Sequence, residues 1–209
     1  SGDLGSLTLE GTAAQVDLTS LASKSADGSY TLSVTLADLT PLQVKVMASA
    51  SVAAMYLTSA DPENQGRDYV DADKGNSAEG SMTLVAADGA ILYNGALTQI
   101  KSRGNSTFLY YDKKSYQIKL DNKSDLLGLG EEGKTWVLLA GYGDATQMHD
   151  KLFKDLASQV GLAYSPDCDW VDLYYDGEYR GTYLLSEKNN VNGNTVDITD
   201  MEKLYEDIY

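Results

Sequence analysis

Residues 100–120, IKSRGNSTFLYYDKKSYQIKL, gather Lys101, Arg103, Lys113, Lys114 and Lys119 beside a single acid, Asp112, in a chain of formal net charge −15. An Arg guanidinium is a planar fork suited to phosphate or carboxylate, and a Lys ammonium is a point charge. The Gly104-Asn105-Ser106 turn between two strands frees backbone N–H groups, and anions bind such concavities. In SYQIKL, Tyr116, Ile118 and Leu120 share one strand face, so Ser115, Gln117 and Lys119 project from the other. Lys113 and Lys114 read equally well as charges on an exposed turn. For Arg103 and Lys119 together, phosphate binding is the better reading.

The totals narrow the chemistry around that island. With 209 residues, 43% of them hydrophobic and 22% charged, the chain can bury a sizeable core. The acidic balance speaks against a general nucleic-acid binder, which needs a broad basic face. A single cysteine, Cys168, cannot form an internal disulfide and reads as a buried thiol; a single histidine, His149, leaves little room for His-built metal sites or Ser-His-Asp chemistry. No apolar run is long enough to cross a bilayer. The acid-rich stretch 60–80 lacks the residue order of an EF-hand and reads as a solvated loop. The 15 Tyr and 2 Trp read as core and cross-strand packing rather than a sugar-binding face.

The elements that must position the island follow from pattern. SLTLE, AQVDL, YTLSVTL and LQVKVMA alternate with period two and make residues 1–47 a β-rich extension or small module. Residues 48–209 form the second unit. AAMYLTS (53–59) reads as a buried strand, and Asp88-Gly89 and Asn94-Gly95 as hairpin turns. TWVLLAG reads as another buried strand. Over 145–160 the spacing predicts one helix, with Asp144 as N-cap, Met148, Leu152, Leu156 and Val160 as its apolar stripe, and Gly161 as its stop. WVDLYYDGEYRGTYLLSEK is a hairpin about Asp176-Gly177. The expected fold class is α+β: an antiparallel sheet with one main packed helix, preceded by a short β-rich segment.

IKSRGNSTF…DKKSYQIKL, then LLGLG…TWVLLAGYGDATQMHDKLFKDLASQVGL, then VDLYYDGEYRGTYLLSEK resemble, in order and spacing, the amino-terminal half of the CotH kinases. These are the spore-coat-protein-H-like family of secreted and surface-associated bacterial proteins. The resemblance covers roughly 97–203, more weakly 52–96, and leaves out 1–47. It implies the small lobe of an atypical protein kinase. Arg103, Gly104, Asn105 and Ser106 would then lie on a phosphate-covering turn, and Lys119 would present its amine to the phosphates of ATP. Asp150 or Asp155 would pair with Lys119 from the helix, a choice left open. Ser186-Glu187-Lys188 would form a hinge against adenine.

Two departures qualify the resemblance. His149 stands where the family usually has Arg, and a helix histidine of this kind reads as a surface or packing residue. Phosphoryl transfer also needs one acid to orient the attacking hydroxyl and another to hold Mg. Those are expected downstream of residue 209, Asp197 and Asp200 being too close to the hinge, so no catalytic or metal residue is assigned within the chain. The expectation is a nucleotide-binding lobe, inactive by itself, of a secreted or cell-surface kinase. That kinase would transfer the ATP γ-phosphate to Ser or Thr of a protein substrate, alongside other domains of a larger secreted protein. The alternative is a non-catalytic extracellular binding or scaffolding module.

Overall fold

The computed structural model describes residues 29–34, 42–47, 51–128, 132–162, 164–189, 191, 196, 198, 199, 201 and 204. The chain divides into two compact units, Ser1–Ser51 and Val52–Tyr209. In the first, β1 (Ser29–Val34) and β2 (Leu42–Met47) pair antiparallel, with Ser29 opposite Met47. Both fall where alternation placed strands; SLTLE and AQVDL lie outside the described residues.

The second unit is a closed barrel. Its strands are β3 (Ala53–Ser59), β4 (Ala78–Val85), β5 (Ile91–Arg103), β6 (Ser115–Ser124), β7 (Gly133–Leu139), β8 (Cys168–Tyr175) and β9 (Glu178–Glu187). They close in the order β3-β4-β5-β6-β7-β9-β8, and every neighbouring pair is antiparallel except β3 with β8. The expected α+β lobe, an antiparallel sheet with one packed helix, is therefore corrected to a β-barrel. The physical reason is that the sheet buries its apolar face against itself. Met55, Leu57, Leu84, Ile100, Tyr116, Ile118, Trp136, Leu138, Leu173 and Leu185 point inward and are essentially inaccessible. No helix is needed to complete that core.

Local chemistry explains the remaining corrections. The loop expected over 60–80 contains two short helices, α1 (Pro62–Gln65) and α2 (Arg67–Ala72). Pro62 sits at the start of α1, where its missing N–H costs nothing, and the Asp61 carboxylate accepts the Asn64 N–H. Asp88-Gly89 does turn the chain, with Gly89 at φ 91°. Asn94-Gly95 does not: it runs inside β5, where Asn94 faces Thr83 and Gly95 faces Met82. The Tyr93 ring lies directly over Gly95, where a Cβ would stand 2.7 Å from the Tyr93 hydroxyl, so that glycine serves close packing rather than a turn. Asp176-Gly177 is the expected hairpin turn, with φ of 49° and 81°.

α3 (Ser106–Tyr110) bridges β5 and β6, and α4 (His149–Gln159) bridges β7 and β8. α4 starts later than expected because Gln147 takes a left-handed conformation at φ 55°. Asp144 still caps it from a distance, its carboxylate accepting the His149 backbone N–H at 3.0 Å. α4 lies outside the barrel and none of its residues is buried. The stripe of Met148, Leu152, Leu156 and Val160, expected to face the core, is exposed.

Candidate functional site

Strand register builds the site. Lys101 lies opposite Gln117, Gln117 opposite Val137, Val137 opposite Ser186, and Ser186 opposite Cys168, one row across five strands. Their inward-facing neighbours Ser102, Ile118, Leu138 and Leu185 are buried, so this row is on the barrel's outer surface. Val137, Ser186 and Cys168 are nevertheless buried, and α4 packs against β8, the last strand of the row. The Lys154 amine donates to the Ser186 hydroxyl at 3.1 Å, and the Ser165 hydroxyl donates to the Lys154 carbonyl at 3.0 Å.

Arg103 ends β5 on the same outer surface, one pleat from Lys101. It is half-buried; burial pushes its guanidinium below the ordinary value, and the Asp150 carboxylate of α4 pulls the other way. Burial likewise lowers the Lys154 ammonium, with Asp150 opposing and Arg103 adding to the shift. Arg103, Asp150 and Lys154 thus form one electrostatic group beneath α4, two cations to one acid. Asp150 and Lys154 are four residues apart, which sets them on one helix face. That spacing is the sequence signal for Lys154, a cation on a helix where the kinase resemblance points only to acids.

The other expected residues distribute differently. Lys119 is exposed, with no side-chain partner among the described residues, and lies opposite Gln99 whereas Arg103 lies opposite Ser115. Four residues of strand separate them, about 13 Å. Asp155 is held by its own helix, accepting from Lys151 at 2.8 and 3.0 Å. Gly104, at φ 98°, turns the chain out of β5. The Asn105 side chain accepts from Lys74 at 2.5 Å, and Ser106 opens α3, exposed. Ser186 and Glu187 are buried at the end of β9; the Glu187 carboxylate accepts from the Tyr164 hydroxyl at 3.3 Å. The Lys188 N–H is bonded to the Thr135 carbonyl at 3.1 Å.

Two cations of the basic island have structural work. The Lys113 amine donates to the Thr182 carbonyl at 2.6 Å and sits 4.2 Å from the centre of the Tyr183 ring. Burial lowers its affinity for a proton, as does Arg180, against Asp172. The Lys114 amine donates to the Phe108 and Tyr111 carbonyls at 2.7 and 2.6 Å, closing the end of α3. A second polar group plugs the same end of the barrel. Asp71 of α2 accepts from the Ser102 and Tyr116 hydroxyls, both at 3.0 Å, while Arg67 approaches it at 3.5 Å. Burial, then Asp71, pushes the Tyr116 phenol far up.

His149, expected to be a surface or packing residue, contacts the Asp144 carboxylate through Nδ1 at 2.9 Å. Among the described residues no helix is long and apolar enough to cross a membrane.

No curated protein matches the chain. The family model described as CotH kinase protein matches residues 100–205, from within β5 through Arg103, α4 and β9 to the C-terminal segment. That match takes in half of the sequence and every residue of the group beneath α4, and the chain belongs to the CotH kinase protein family.

Proposed function

We propose that this chain supplies the phosphate-binding surface of a kinase that transfers the γ-phosphate of ATP to Ser or Thr of a protein at the cell surface or outside the cell. The observation that carries the reading is that Arg103, at the end of β5, and Lys154, seated on Ser186 of β9, are both half-buried on the outer face and act on each other's charge. Among the described residues the acid acting on Arg103 is Asp150, and the Lys154 amine rests on a neutral hydroxyl. This donor set suits phosphate oxygens, and partial burial strengthens each charge–charge contact. Lys119, along the same face, flanks the phosphates. Magnesium is a different matter: among the described residues no three His, Cys, Asp or Glu side chains come together to hold a metal ion. The acid that orients the attacking hydroxyl is none of these residues.

Calorimetric titration with ATP tests the reading. Arg103→Ala and Lys154→Ala are expected to weaken binding at least about tenfold each, the equivalent of ~1.4 kcal/mol. Lys119→Ala is expected to weaken it less. ATP binding unchanged in both Arg103→Ala and Lys154→Ala sinks the proposal. A non-catalytic scaffolding role is the second reading, favoured by the exposed apolar side chains of α4; it predicts no ATP binding at all.

A further inference from the structure

α4 is turned the opposite way from an ordinary surface helix. One charged side chain is directed at the barrel, Lys154, whose amine reaches Ser186, while Asp150 stays exposed at the start of the helix and acts on Arg103 through its charge. Its apolar side chains face out. Met148, Leu152, Phe153, Leu156, Val160 and Leu162 are between 45% and 66% exposed. Together they present a patch on the order of 600 Å², the upper end of what a typical monomer leaves open.

We propose that this face is a homodimer interface, with α4 of one copy lying antiparallel on α4 of a second. Three features of this helix select a second copy as the occupant. Met148, Leu152, Leu156 and Val160 are spaced by four, so their stripe is symmetric about position 154. A twofold axis there sets Leu152 opposite Leu156 of the other copy and Met148 opposite Val160, the self-complementarity an isologous contact requires. Rows spaced by four on both helices interlock at a crossing angle of about −50°. Charge agrees. In a chain of formal charge −15, α4 carries Lys151 and Lys154 against Asp150 and Asp155, so two acidic copies meet here at a locally balanced surface. Area agrees as well, since two such patches bury roughly 1,200 Å², where specific interfaces begin. A contact of that size is modest, and the dimer is expected to exchange with monomer.

Sedimentation velocity on the whole chain tests the proposal, up to about 200 µM, which would populate dimers of Kd near 10 µM. The expected result is a doubling of mass with concentration. Leu156→Glu, with its far-UV circular dichroism unchanged, is expected to raise the dimer Kd more than about tenfold. Should that variant lose the native spectrum, Phe153→Glu takes its place with the same expectation. Because position 152 faces position 156 across the axis, mixing Leu152→Glu with Leu156→Lys is expected to restore a dimer that neither forms alone. A chain that stays monomeric at the highest concentration overturns the proposal, including the case in which another protein covers this helix. A dimer indifferent to Leu156→Glu, or a mixture that fails to reassemble, overturns it equally.

Discussion

Cationic residues close together in sequence divide by what their tips meet. Lys113 meets a carbonyl and a ring face, Lys114 meets two carbonyls, and Arg103 faces the carboxylate of Asp150. Lys119 meets none of these and is exposed. Lys113→Met deletes a charged donor from a half-buried carbonyl and a cation from the Tyr183 ring, so a loss of about 1–3 kcal/mol is expected. Lys119→Ala should stay within about 0.5 kcal/mol of the parent. Urea unfolding of both variants checks this, and equal losses would show that Lys113 is no more structural than Lys119. Cys168 is the other residue whose surroundings fix its behaviour. Burial pushes its thiol up, with Lys151 and Lys154 opposing. It should react with a thiol reagent at pH 8 only as fast as α4 lifts from it, and prompt reaction in the native state would contradict the placement of α4 over it.

The start of α4 couples one element to pH. The His149 backbone N–H, then the Thr146 hydroxyl, hold the Asp144 carboxyl at about 2, below its ordinary 3.8. A carboxylate depressed in the fold stabilises it fully above the ordinary value, and that contribution is lost as pH falls through about 2. NMR titration of the Asp144 carboxyl is expected to give a midpoint near 2, with the amides of the first turn of α4 losing protection over the same window; a midpoint near 4 would remove the cap. This element also shows how far pattern could be read. The apolar spacing of Met148, Leu152, Leu156 and Val160 announced a helix correctly, because period alone decides helix from strand. It could not say which way the stripe faces, because that depends on whether the partner surface still needs covering, and the barrel's does not. Asn94-Gly95 failed for a related reason. Hairpin chemistry is local, but β4 supplied partners for both residues, and the ladder prevailed over the turn. Arg103 was legible from composition. Its partners were not, because Asp150 and Lys154 come to it only through the register of β5, β6, β7 and β9 and the crossing of α4.

Closure of the barrel distributes stability unevenly over the molecule. Each of the seven strands contributes fully buried side chains to one core and is hydrogen-bonded on both edges, including the parallel seam where Ala53 lies opposite Val171 and Met55 opposite Leu173. A closed sheet has no fraying edge, so its central amides exchange only by large-scale opening. α4 is attached differently. No residue of it is buried, and it is held through Lys154 on Ser186, Ser165 on its backbone and the charge of Asp150. Such contacts are worth about 1 kcal/mol each rather than the 1.5–3 kcal/mol of a buried Leu. Hydrogen exchange on Leu156→Glu, which keeps the helix free of any second copy, should therefore separate the two. Amides of Ile118, Leu138 and Leu185 are expected to exchange at least about a hundredfold more slowly than those of Leu152 to Leu156, a gap near 3 kcal/mol. Protection of α4 equal to that of the strands would mean that helix and barrel open as one unit. The half-buried Arg103 and Lys154 would then be a fixed part of the fold rather than a face that can part to admit a nucleotide.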